Sequence, residues 1–285
     1  LGTFLSGGID SGIITAIAAQ NSSNALCTFS VGFEHSKEID ERPLARLVAQ
    51  RYKTNHTELT VESDLVDILP RLIWNCGEPF ADISLLPTYA ISEAARKYIT
   101  VVLTGDGGDE SFAGYNNIYV AHRANYLRSK LSPHLLNTMH SLARFGSDYG
   151  LPLGQVSTLL KYASHPIPNL YDWPSRWNSK NRNDLLVQAW SDNGKLHNPL
   201  NPIAELARHV THLDPVDQQI WIDLQVRLPN DYLTKIDVAS NAVALEARSP
   251  FLDHELVETA ALIPASLKFY QGQQKGLLRE LAKKY

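Results

Sequence analysis

This sequence predicts an α/β protein: a parallel sheet with flanking helices, followed by a largely helical second half. Three observations carry that expectation. The first third alternates short apolar or β-branched runs with stretches of 3.6-residue apolar spacing, the pattern of successive strand and crossover-helix units. Two glycine-rich turns, at 6–12 and 104–110, each follow such a run, and in parallel sheets ligands gather beyond the carboxyl ends of the strands. From about residue 121 onward the alternation stops and only helical spacing returns.

Residues 2–5 read as a short apolar strand and 13–19 as an apolar helix. Residues 26–31 form the next strand, with Cys27, Phe29 and Val31 on one face, because side chains alternate across a strand. Leu44, Leu47 and Val48 give 42–51 the spacing of a helix. A strand at 57–61, helices at 65–74 and 88–98, and a strand at 100–103 complete the alternating part. The stretch 121–209, rich in Pro, Asn, Ser and Trp, reads as short helices and loops, with the tryptophans expected in packing roles. Helical spacing resumes at 217–228 and 233–245, breaks at Arg248-Ser249-Pro250, and resumes at 254–261 and 277–284. The expected division is an α/β core over 1–122, a helical and irregular insertion over 123–210, and a helical part over 211–285 that completes the site.

At 285 residues and 44% hydrophobic content, the chain can bury one large core or two ordinary ones. A net charge of -4 and a pI near 6.2 argue against a nucleic-acid partner, which calls for a basic face. The two cysteines, Cys27 and Cys76, make no disulfide framework, and a reducing cytoplasm is the expected home. No basic stretch followed by an apolar one opens the chain, and no apolar run approaches the roughly 20 residues that cross a bilayer, so neither a signal peptide nor a membrane association is expected. The chain opens inside a strand-like run and closes inside a helical one, as a piece of a longer polypeptide would.

Leu5-Ser6-Gly7-Gly8-Ile9-Asp10-Ser11-Gly12 joins the first strand to the first helix. Glycines let a backbone approach a ligand closely. Loop amides and a helix N-terminus together suit a phosphate. The Gly-Lys-Ser/Thr ending of a Walker A loop is missing, so a cation for the phosphates must come from elsewhere. Asp10 fits an anion site only with a cation between, and Mg²⁺ favours a few carboxylates plus phosphate oxygens. The competing structural account is an ordinary turn with Ser11 or Asp10 as helix cap.

The second turn, Thr104-Gly105-Asp106-Gly107-Gly108-Asp109-Glu110, puts three acids among three glycines. That composition suits a metal and substrate site better than a second phosphate grip. Asp109 would share Mg²⁺ with Asp10 if the two strand ends are neighbours. Asp106 would contact the group being activated or take up a proton, and Glu110 reads as structural. The alternative is a helix start with acids favouring the dipole.

The loop Ser6–Ser11 resembles the pyrophosphate loop of the ATP pyrophosphatases, which cut ATP between its α and β phosphates. With TGDGGDESFAGY at 104–115, LEARSPFLD at 245–253 and Lys275-Gly276-Leu277-Leu278-Arg279-Glu280, the order of motifs is similar to the synthetase domain of glutamine-dependent asparagine synthetases. Smaller echoes are Val31-Gly32-Phe33, Asp40-Glu41-Arg42 and Glu78-Pro79-Phe80-Ala81-Asp82. The resemblance spans nearly the whole chain and is weakest over 121–209.

That resemblance implies an adenine-nucleotide α-hydrolase-like fold. It also implies a two-step reaction, in which ATP and aspartate give an aspartyl-adenylate and pyrophosphate, and ammonia then gives asparagine and AMP. It assigns Ser6, Gly7, Gly8, Asp10 and Ser11 to the pyrophosphate half of ATP. Leu5, Val31, Thr104 and Gly105 fall to the adenine and ribose pocket, and Asp10 and Asp109 to Mg²⁺. Asp106 stands where relatives carry a glutamate, with one methylene less reach, and Lys275 becomes the missing phosphate cation. Ile83 stands where some relatives have an arginine near the aspartate site, which leaves the acid open. The Arg248 run is explained by an internal ion pair with Glu246 or Asp253 as well as by substrate contact. Expected partners are ATP, aspartate and ammonia, a glutaminase domain of the same full-length polypeptide, and in some settings a second copy as homodimer. Sugar-acid amidation, β-lactam ring closure and a non-catalytic nucleotide-binding domain remain as alternatives; a Rossmann dehydrogenase does not, for want of Gly-x-Gly-x-x-Gly.

Overall fold

The computed structural model describes residues 1–33, 40–61, 67–164 and 201–285. The chain divides into two compact units, one of residues 1–112 with 227–285, the other of 113–226. The first holds a five-stranded sheet of β1 (Gly2–Phe4), β2 (Cys27–Phe33), β3 (Asn55–Val61), β4 (Val101–Leu103) and β5 (Glu246–Arg248) in the order β3-β2-β1-β4-β5. Every pairing is parallel, as the alternating first third predicts.

β5 is a strand that the sequence pattern does not predict, since helical spacing is expected up to residue 245 and a break from 248. Glu246 and Arg248 are charged and make an exposed ion pair at 2.7 Å, so the segment has no strand-like apolar pattern. Its conformation comes from pairing with β4, Val102 opposite Ala247, and from the edge position that keeps both charges in water. The ion pair of Arg248 with Glu246 that the sequence suggests is present, and it lies at the surface. Asp253 instead caps the next helix, accepting from the Glu255 amide at 3.0 Å.

Helices α1 (Ile9–Gln20), α2 (Arg42–Tyr52), α3 (Leu69–Cys76), α4 (Leu85–Arg96) and the short α5 (Gly108–Ser111) belong to this unit. The expected strand face is seen: Phe29, with Cys27 and Val31 beside it, packs against Ile91, Ala95, Ile99, Val102 and Leu245. Leu72, Leu85, Tyr89 and Ala239 form a second buried group. Trp74 does not pack as expected; it is 85% exposed, at the outer side of α3. Both cysteines are free thiols, and among the described residues no helix is long and apolar enough to cross a membrane.

In the second unit, helices α6 (Asn116–Lys130), α7 (Pro133–Asp148) and α8 (Gly154–Ser164) are longer than the short pieces expected there, and α9 (Asn201–His209) and α10 (Pro215–Ile222) follow. The α7 start is readable in the sequence: Ser132 accepts from the Leu135 amide and Pro133 takes the first helical position. Ala121, Leu136, Leu160 and Ile222 are among the side chains that close this unit's core. Residues 165–200, part of the expected insertion, and 65–66 of the expected third helix lie outside the described residues. The chain returns to the first unit along a π-helical run, Asp223–Leu233, which contains Pro229. A wider turn tolerates a residue with no amide hydrogen to donate.

Phe29 is 1% exposed at the centre of the sheet's apolar face. Phe29→Ala should cost about 3–5 kcal/mol, measurable as a lowered urea midpoint with an unchanged transition slope.

Candidate active site

β1 and β4 are neighbours, with Gly2 opposite Val102 and Thr3 opposite Leu103. Both glycine turns therefore leave the sheet at the same edge. The condition set for Asp10 and Asp109 to share a cation, adjacent strand ends, is met.

The first turn is held by its own hydroxyls. Ser6 and Ser11 hydroxyls lie 3.0 Å apart, the Ser6 amide donates to Ser11 Oγ at 3.2 Å, and the Gly8 amide donates to Ser6 Oγ at 3.2 Å. Helix α1 begins after Gly8, whose backbone is extended and which has no side chain to cap with. Asp10 and Ser11 lie inside the first turn, so neither is the helix cap that the structural account required. Gly7 has φ +84°, and a Cβ there would stand 2.9 Å from the Glu41 carbonyl oxygen and 2.7 Å from Leu44 Cβ. Only glycine fits that position. Leu5 is 1% exposed and packs on Ala45 and Ala49, so its side chain anchors the turn.

The second turn lies directly against the first. A Cβ on Gly105 would be 3.0 Å from the Ser11 nitrogen, and one on Gly108 would be 2.7 Å from Asp10 Cγ. Gly107 turns the chain with φ +90°. Thr104 is buried, and its hydroxyl lies 2.6 Å from Ser249 Oγ at the end of β5. Val31 is placed less simply: β2 runs on to Phe33, so Val31 is not at the strand end as expected, and it packs beside Phe29.

Lys275 reaches this place from far along the chain. Its ammonium donates to Asp10 Oδ2 and lies 2.7 Å from Asp109 Oδ1. Burial pushes the Asp10 carboxyl up to about 6, against the pull of Lys275. Burial alone would lower the Lys275 ammonium, but Asp10 and Asp109 outweigh it and hold it above its ordinary value. The remaining oxygen of Asp10, Oδ1, is buried and has no hydrogen-bond partner, an expensive arrangement unless something else meets it. A free carboxylate oxygen, with a second carboxylate converging on the same cationic point, is a donor set that fits Mg²⁺ completed by phosphate oxygens. Among the described residues no group of three or more His, Cys, Asp or Glu side chains forms a metal cage by itself.

Asp106 lies deeper. Burial raises its carboxyl, opposed by a hydrogen bond from Thr104 and by the charge of Lys235. Lys235, which no motif in the sequence marks, meets Asp82, the last residue of the Glu78–Asp82 echo. Its ammonium lies 3.2 Å from Asp82 Oδ2 and 4.8 Å from the Tyr232 ring centroid. Asp82 Oδ1 accepts from the Ser84 amide at 2.8 Å and the Ser84 hydroxyl at 2.6 Å. Burial and the Asp82 carboxylate raise Asp231. Around Lys235 the local trace of this cluster is the Asp231–Lys235 spacing of four residues, an ordinary helical pair; Asp82 joins it through tertiary folding. Ile83, beside Asp82, is 73% exposed. Glu41, which the motifs leave without a role, is raised by burial against a hydrogen bond from Ser6 and the charge of Lys275.

The family model described as asparagine synthase matches residues 1–285. An asparagine synthetase (glutamine-hydrolysing) from Bacillus subtilis is 28% identical over 283 residues, covering 99% of this chain and 43% of that protein. A putative one from Mycobacterium bovis is 33% identical over 98% of this chain and 41% of its own length. Another, from Methanocaldococcus jannaschii, is 41% identical over 130 residues, 45% of this chain and 25% of that protein. The chain thus spans less than half the length of these curated relatives. Matched from its first residue to its last, it belongs to the asparagine synthase family.

Proposed function

We propose that this chain performs the ATP-dependent, amide-forming reaction of an asparagine synthetase. The observation that carries the reading is the meeting of two glycine turns with Asp10, Asp109 and Lys275 at one sheet edge. The acid is aspartate. Its side-chain carboxylate attacks the α-phosphorus of ATP, the bond to the β-phosphate oxygen breaks, and pyrophosphate leaves. Ammonia then attacks the activated carbonyl carbon, AMP leaves with the former carboxylate oxygen, and a proton is given up. Adenylation turns a poor electrophile into a good one, and the protein's part is positioning and charge stabilisation.

In this reading Ser6, Gly7, Gly8 and Ser11 hold the pyrophosphate half of ATP, with Leu5, Val31, Thr104 and Gly105 towards the nucleoside. Asp10 and Asp109 would hold Mg²⁺, whose chemistry is to neutralise charge on the triphosphate. Lys275 meets the charge that grows on departing pyrophosphate. Asp106, its carboxyl raised by burial, takes up the proton released by the attacking ammonia. Lys235 supplies positive charge that acts on Asp106 and pairs with Asp82, next to Ile83, where the resemblance implies an arginine in some relatives. The free end of the acid is where that difference tells, so another carboxylic acid is the second reading. In the full-length protein a glutaminase domain would deliver the ammonia, and the setting is cytoplasmic.

The deciding measurement is pyrophosphate release by the full-length protein with ATP, Mg²⁺ and ammonium across a panel of acids. Release with aspartate and formation of asparagine are expected; release only with another acid replaces the substrate, and none with any acid sinks the enzymatic reading. Lys275→Ala should lower kcat by about 10²–10³ while KM for ATP changes far less; equal losses would make Lys275 a simple binding group. Gly108→Ala is a test through Asp10. The added methyl must displace the Asp10 carboxylate, and no backbone penalty arises, because Gly108 is not among the positive-φ residues. Binding of Mg²⁺–ATP, followed by calorimetry, should weaken about tenfold or more, or ~1.4 kcal/mol, with the circular dichroism spectrum unchanged.

A further inference from the structure

Asp10 and Asp109, the pair assigned to Mg²⁺, share a single ammonium. Lys275 donates to Asp10 Oδ2 and lies 2.7 Å from Asp109 Oδ1. Two carboxylates brought this close repel, and one positive charge between them offsets that. The lysine is not a loose surface chain that happened upon them. Its side chain is 14% exposed, and its backbone has φ 55°, a region unfavourable for a residue with a Cβ. Gln271 and Gly272 just before it also have positive φ. Gly276 just after it is closely packed, since a Cβ there would lie 2.7 Å from Tyr270 Cβ. A turn with three left-handed residues, Gln271, Gly272 and Lys275, thus delivers one ammonium to one point. Strain held in place by its surroundings, at a charged group in a site, is the kind that accompanies a change between two arrangements.

Given the assignment of Asp10 and Asp109 to Mg²⁺, on which this role rests, we infer that Lys275 is the resident counter-ion of the metal site: its ammonium sits where a divalent cation would bind, competes with it, and moves to the phosphates when metal arrives with nucleotide. The exchange is balanced in charge. A divalent cation takes over both carboxylates, and the triphosphate that accompanies it gives the displaced ammonium a new partner. Metal without nucleotide must displace the lysine from two carboxylates, with Glu41 the neighbouring acid left to it and no triphosphate to receive it, so it binds weakly. Metal and nucleotide therefore favour each other's binding, by a reciprocal factor that runs through this side chain. This role is separate from stabilising the leaving pyrophosphate, and it operates before any chemistry.

The test needs no turnover. Mn²⁺ is titrated into the full-length protein without nucleotide and free ion is followed by electron paramagnetic resonance, for the parent and for Lys275→Met, with circular dichroism to verify the fold. The variant should bind Mn²⁺ about tenfold tighter, within the usual range of such couplings. In the parent, bound Mn²⁺ alone should raise the rate at which a soluble acetylating reagent modifies Lys275, read by peptide mass spectrometry. Equal or weaker Mn²⁺ binding by Lys275→Met overturns the inference, as does unchanged Lys275 reactivity with Mn²⁺ bound. Asp10→Asn separates the two ideas: Mn²⁺ binding as tight as the parent's in that variant means the metal assignment, and the inference with it, is wrong.

Discussion

The pairing of β1 with β4 sets the terms for the rest of the molecule. These two strands are only three residues each, and they come from opposite ends of the alternating segment. Side by side and parallel, they release their following loops at one edge, as strand carboxyl ends in such sheets do. The loops then meet so closely that a Cβ on Gly105 would crowd the Ser11 nitrogen at 3.0 Å and one on Gly108 would push the Asp10 carboxylate aside. The glycines are therefore a packing requirement of the meeting as well as an opening for a ligand. β5 extends the same edge, and its end brings Ser249 to the Thr104 hydroxyl. The returning portion of the chain, 227–285, thus belongs to the same compact unit as residues 1–112.

The electrostatics follow from that geometry. Asp10, Asp106 and Asp109 lie on two touching turns, and two of them, Asp10 and Asp106, have carboxyls raised by burial. Such a concentration of acid is unfavourable in a folded chain without positive charge close by. The chain meets it with two lysines from its returning portion. Lys275 lies against Asp10 and Asp109, and Lys235 acts on Asp106 while paired with Asp82. Each cation is itself held by more than one acid, so neither is a passive neighbour. A site with a buried, unpartnered carboxylate oxygen is built for a ligand that completes it.

What is legible in the sequence is what local chemistry dictates. The glycine turns announce themselves because their conformations exclude other residues, as at Gly7 and Gly107. The Phe29 face of β2 shows in its alternation, and Lys275 stands out through the resemblance and through the cation missing from the first loop. What is not legible depends on partners. β5 has charged residues at two of its three positions and is a strand because β4 lies beside it. Lys235 and Asp82 stand far apart in sequence; the echo ending at Asp82 marks one of them, and nothing near Lys235 marks their meeting. The helices at 116–164 exceed the expected lengths because their apolar residues are not confined to one stripe: Leu135, Leu142 and Phe145 of α7 are exposed while Leu136 is buried, so the 3.6-residue spacing is blurred.

Asp106 shows how the early and returning segments of the first unit act on one group. Relatives are expected to carry a longer acid there, and a shorter one would lose reach if its backbone stood in the same place. Here the residue is tied from both sides. Thr104 bonds it from its own strand end and is in turn bonded to Ser249, while Lys235 acts on it from the returning segment. Burial raises the carboxyl, and the two polar neighbours oppose that rise. A carboxyl under opposed influences of this kind accepts a proton more readily than a solvated one and yet retains a fixed orientation. In the proposed reaction the direction of this carboxyl, held by Thr104, matters as well as its reach. Under the proposed function the shorter acid keeps the charge and the raised carboxyl that proton uptake asks for, with Lys235 and Ile83 the places at which to look for the choice of acid.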